Sequence, residues 1–122
     1  MIGCVKNYPE KHYDPLVVAR DFLLAVSMGQ KHLQYGPVVI DYSDKGNGLV
    51  EFHCINAGGV DDLVFAARES LLEFAKSHEK AITFYDNPKV SSIAIKTGVP
   101  VSISRIDDGE YRTFKAEFNL RS

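Results

Sequence analysis

The chain has little of what marks a specialised class. It holds two cysteines in 122 residues, and a domain of this size buries roughly two thirds of the surface its unfolded chain exposes. A disulfide framework is therefore not needed, and both Cys4 and Cys54 are expected as reduced thiols. Long apolar runs are missing. The stretch from Leu16 to Met28 is too short to span a bilayer and is broken by Arg20 and Asp21, and the segment ahead of it lacks the layout of a signal peptide. A cytoplasmic chain with no membrane partner is the expectation. Excess charge of one sign is missing too: 14 basic against 16 acidic residues leave a net −2, which supplies no broad basic field and argues against a nucleic-acid partner. The apolar share of 45% and charged share of 25% are ordinary for a soluble globular chain, so a single domain over residues 1–122 is predicted.

What is present is local patterning. Asp14-Pro15 reads as a helix start, with an apolar stripe of Leu16, Ala19, Leu23 and Val26 running to about Met28 and Gly29 as the stop. The β-rich runs Val38 to Tyr42 and Leu49 to Ile55 flank a turn at Asp44-Lys45-Gly46-Asn47-Gly48, a first hairpin. On its second strand Val50, Phe52 and Cys54 share the core face, and Glu51 and His53 share a face read as exposed. After Asn56-Ala57-Gly58-Gly59, a helix is predicted from about Val60 to Ser77, with Val60, Val64, Ala67, Leu71, Phe74 and Ala75 as its buried stripe. Phe65 and Leu72 lie off that stripe and are expected to meet further neighbours. Ala81 to Tyr85 reads as a short strand. Pro88 to Lys96 is assigned as a helix, over a competing strand reading, with Asn87 as cap and Gly98 as stop. A closing hairpin spans Val101 to Leu120 about an Asp108-Gly109 turn. Val99, Val101 and Ile103 face the core with Phe114, Ala116, Phe118 and Leu120, while Tyr111, Thr113, Lys115 and Glu117 lie opposite. The order α-β-β-α-β-α-β-β predicts an α+β fold: a mainly antiparallel sheet of two hairpins plus a short strand, with two main helices packed on one face.

No stretch carries a catalytic or cofactor fingerprint, so no catalytic residue and no cofactor are assigned. Gly58 and Gly59, between a strand and a helix start, are the nearest approach to a ligand-binding motif, because glycines and helix N-terminal amides can cradle an anion. Asp61 and Asp62 in the first turn already answer the helix dipole and would repel one. His53 and Cys54 are adjacent on a strand and so point to opposite faces, which prevents them from acting as a nucleophile–base pair. His12, His32 and His78 have no metal-ligand spacing, so no metal is expected. Asp41 and Glu51, on facing strands, can approach each other, but are read as part of a solvated charged face.

Acidic residues gather in two places: Asp61, Asp62, Glu69 and Glu73 along the central helix, and Asp107, Asp108 and Glu110 around the last turn, beside Tyr111. Such groups are candidates for contact with a basic protein. In size, mild acidity and compact α+β pattern the chain is similar in general character to the small immunity proteins that bacteria pair with secreted toxins. That likeness implies a non-enzymatic binding module that neutralises a basic toxin domain. Two other readings accompany it: a small enzyme or ligand-binding domain with its pocket near Gly58-Gly59, and a homo-oligomeric subunit joined through an edge strand.

Overall fold

The computed structural model describes residues 6–7, 31–107 and 112–121. The helix predicted from Asp14 to Met28 lies outside the described residues, as do Cys4 and His12. Seven strands and two helices are described: β1 (Lys6–Asn7), β2 (Lys31–Tyr35), β3 (Val38–Gly46), β4 (Leu49–Asn56), α1 (Val60–Phe74), β5 (Lys80–Tyr85), α2 (Val90–Lys96), β6 (Val101–Asp107) and β7 (Arg112–Asn119). Six strands run in the order β2-β3-β4-β5-β7-β6, and β1 pairs in parallel with the end of β4. Every other pairing is antiparallel except β4 with β5, whose connection crosses through α1. This is the predicted α+β class, with two strands added, the short β1 being one. Lys31–Tyr35 forms a strand that sequence patterning did not mark, and Gly36-Pro37 turns it directly onto β3.

The β3–β4 turn follows from its residues. Asn47 and Gly48 both adopt positive φ, 55° and 78°, as a two-residue connection between twisted strands requires. A bulge falls between Asp44 and Gly46. There the Asp44 carboxylate accepts a 2.8 Å hydrogen bond from the Gly46 N–H, which holds that carboxyl below its ordinary range.

Both helices cover the same sheet face. α1 lies over β2, β3 and β4, and α2 lies against α1 and β6. Val38, Ile40, Val50, Phe52, Cys54, Ala81, Tyr85, Ala116 and Phe118 from the strands pack with Leu63, Ala66, Leu71 and Phe74 of α1 and with Val90, Ile93 and Ala94 of α2. The stripe that α1 buries is Leu63, Ala66, Ala67, Ser70, Leu71 and Phe74. It is rotated from the predicted stripe: Val60 and Ala75 are exposed and Val64 is half-buried. Ser70 explains the misreading, since a serine scores as polar, yet here it is fully buried because its Oγ donates to the Ala67 carbonyl at 2.8 Å.

The closing hairpin pairs Asp107 with Arg112. An Asp108-Gly109 connection would have set Asp107 opposite Glu110. The ladder is therefore two residues out from that expectation, and residues 108–111 lie between its last described pair. A shift of two preserves side-chain faces, so Phe114 still packs on the core and stacks on Tyr85 at 5.5 Å.

Candidate functional site

The sheet face opposite the helices is not the exposed one that the Glu51–His53 alternation predicted. Asp41 is 2% and His53 6% exposed, and Ile55 and Ile82 on the same face are buried with them. Asp41 and His53 are register partners on β3 and β4. His53 Nδ1 lies 2.9 Å from Asp41 Oδ1, and Nε2 lies 2.8 Å from Glu51 Oε2. Lys45 sits 3.9 Å from the other Glu51 oxygen. Carboxylates only accept, so both contacts are hydrogen bonds when the ring carries a proton on each nitrogen or when one carboxyl is protonated. Either way both nitrogens are occupied, and neither is open to activate a nucleophile. The cluster is a clasp across two strands. Cys54, as predicted, points to the other face; burial, and then Asp41, push its thiol up, which keeps it protonated and unreactive.

The Asn56–Gly59 connection closes on itself. Buried Asn56 accepts from the Gly58 N–H at 2.8 Å and donates to the Gly59 carbonyl at 3.1 Å. The Ala57 N–H reaches the Pro37 carbonyl at 2.9 Å, and the Gly59 N–H reaches Asp62 Oδ2 at 2.9 Å. A Cβ on Gly58 would stand 2.6 Å from the Pro37 ring. The glycine thus serves close packing, and these three amides already have acceptors. Asp62 is a helix-start cap as well as a surface charge.

Between sheet and helices lies an apolar cavity of about 20 Å³ bordered by Phe52, Cys54, Leu63, Thr83, Ile93 and Phe118, among others. Thr83 is 2% exposed, and its Oγ1 has no hydrogen-bond partner among the described residues. The space suits one water-sized molecule.

The outward face of α1 is different in kind. Phe65 is 58% and Leu72 54% exposed, seven residues apart and so on one face two turns apart. The further neighbours expected for them reduce to one described ring contact, Phe65 edge-on to Tyr35 of β2 with centroids 6.4 Å apart. Asp61, Asp62 and Glu73 are exposed around this pair and Glu69 is half-buried beside it. Asp107 is exposed at the end of β6, the outermost strand, well along the sheet from β2. Asp108, Glu110 and Tyr111 lie outside the described residues.

No group of His, Cys, Asp or Glu among the described residues could hold a metal ion, and no described helix is long and apolar enough to cross a membrane. Comparison with models of protein families, with curated proteins and with solved structures finds no match.

Proposed function

We propose that this chain is a non-enzymatic protein-binding module whose acidic surface docks on a basic partner, most concretely an immunity-type protein that covers the active surface of a toxin. The observation that supports this reading is the outward face of α1. Two large apolar side chains, Phe65 and Leu72, stand exposed on a helix whose charges are Asp61, Asp62, Glu69 and Glu73 against Arg68 alone. Exposed aromatic and aliphatic anchors bordered mainly by acidic charge, with Arg68 as the single cation of the helix beside them, are the layout of a binding surface: the anchors slow dissociation and the charges speed encounter. Asp61 is the cleaner charge to reverse, because Asp62 also caps the helix.

Affinity purification from the native cell followed by mass spectrometry is expected to recover a stoichiometric basic protein. Its association with the Asp61→Lys variant should be slower and less dependent on salt, with folding unchanged. Unchanged association kinetics for Asp61→Lys and for Asp107→Lys would refute the acidic-surface mechanism.

A further inference from the structure

Resting on that reading, we infer that the flank of α1 above β2, built from Tyr35, Phe65 and Glu69, receives an arginine side chain of the partner protein. The two rings meet nearly at right angles, with an interplanar angle of 80°, and Phe65 keeps more than half of its surface open. Tyr35 is half-buried, and its phenol is pushed up by burial and then by the charges of Glu73 and Glu69, against which Lys76 works more weakly. The two carboxylates differ in what they already hold. Glu73 lies 3.0 Å from Lys76, whereas Glu69 makes no ion pair among the described residues. Arg68, the one cation within α1, is placed by the 100° step on the flank away from Glu69 and Glu73. The corner beside Tyr35 thus combines aromatic surface with a carboxylate that holds no direct counter-charge among the described residues.

A guanidinium meets all of these demands at once. It is flat and weakly hydrated, so it can lie on a ring face, and its fork of donors can reach Glu69 while it does so. A lysine ammonium, compact and strongly hydrated, gains the charge and loses the stacking. The source is a protein and not a free amino acid, because Leu72 continues the apolar ridge two turns beyond Phe65, farther than one side chain reaches.

The test titrates the whole isotope-labelled chain with N-acetyl-arginine amide and, separately, with N-acetyl-lysine amide, following Tyr35, Phe65 and Glu69 by NMR. Saturable shifts at these three residues are expected, with the arginine compound binding about two- to fivefold tighter than the lysine one. Glu69→Gln and Phe65→Ala should each abolish that preference, and Glu117→Gln should leave it intact. Both test positions are on the surface, and the dispersion of each variant's spectrum reports its folding independently. Equal binding of the two compounds, no saturable shift, or an unchanged response in Glu69→Gln would overturn the inference. Any of these results alongside a captured basic partner that Asp61→Lys slows would remove the arginine subsite and leave the protein-binding reading standing.

Discussion

Removing Asp41 should cost more than removing any surface carboxylate in the chain. Asp41→Ala leaves the Nδ1 of a buried imidazole without its 2.9 Å acceptor, in a place where neither residue has water to turn to. Breaking a buried pair by taking one partner is worth about 3–5 kcal/mol, a large share of the roughly 5–15 kcal/mol that holds an ordinary domain together. His53→Leu should cost a similar amount, since it strands Asp41 in turn. The double variant Asp41→Ala/His53→Leu should recover much of the loss, because with both members gone neither is left buried and unpaired. A coupling of at least about 1.5 kcal/mol is expected in the cycle. Glu51→Gln, at a position still reached by solvent, should cost under about 1 kcal/mol. Urea unfolding, with the slope checked for constancy across the series, reads all four values. A loss under about 1 kcal/mol for Asp41→Ala would be a surface-type value and would refute the buried clasp.

Phe52→Ala should destabilise by about 3–5 kcal/mol, as a fully buried aromatic leaves a cavity, whereas Phe114→Ala, at a half-buried site, should fall below that range; thermal unfolding compares them. Thr83→Val removes a buried hydroxyl without a described partner and should raise stability by about 1 kcal/mol, while an equal loss would show that the hydroxyl is satisfied in solution. The Cys54 thiol keeps its proton in the fold at pH values where the unfolded chain loses it. Its stabilising contribution is therefore complete below the unfolded pKa and declines as pH rises past it. Cys54→Ala should thus flatten the fall in stability between about pH 9 and pH 10 by about 1 kcal/mol, measured by denaturant unfolding at each pH. The same thiol should react with alkylating reagents only after denaturation, which thiol counting tests.

Much of the fold is legible in the sequence because its turns and alternations are strong. Asn47-Gly48 announces the first hairpin, Gly98 ends the short helix, and the inward sets Val50-Phe52-Cys54 and Phe114-Ala116-Phe118 fall where period two puts them. Two kinds of feature were hidden. Buried polar groups were one: Ser70 shifted the helix stripe, and Asp41 and His53 looked like solvent-facing residues, because composition along one strand does not reveal what covers its far face. The turn alone does not pair them, since its register would set Asp41 opposite Cys54, and the bulge between Asp44 and Gly46 moves Asp41 onto His53. The edge strand β2 was the other. Lys31–Tyr35 carries little hydrophobic alternation, and only its ladder to β3 defines it. The candidate site suffered from both. The acidic residues of α1 were visible as letters, but that Phe65 and Leu72 face outward depended on the rotation that Ser70 concealed, and Tyr35 could not be placed beside Phe65 without β2.

The clasp and the proposed docking flank sit on opposite faces of the same three strands, and this relation gives the clasp a role beyond its own energy. Side chains on a strand alternate, so a slip of one residue between β3 and β4 would send Val38 and Ile40 away from the helices and separate Asp41 from His53. Apolar side chains alone penalise such a slip on the helix face; the His53 contact to Asp41 penalises it on the other. β2 takes its register from β3, through Leu33 opposite Ile40 and Tyr35 opposite Val38. Tyr35 therefore meets Phe65 only in the register that the clasp favours. A surface that binds through ring geometry needs its rings fixed before the partner arrives, because ordering them on contact would subtract from affinity. On this view Asp41→Ala should act at a distance. In whatever fraction remains folded, it should loosen the Tyr35–Phe65 contact, read by NMR as smaller ring-current shifts at the Tyr35 and Phe65 protons. Unchanged shifts in a variant that has lost several kcal/mol would show that β2 holds its place without help from the far face of the sheet.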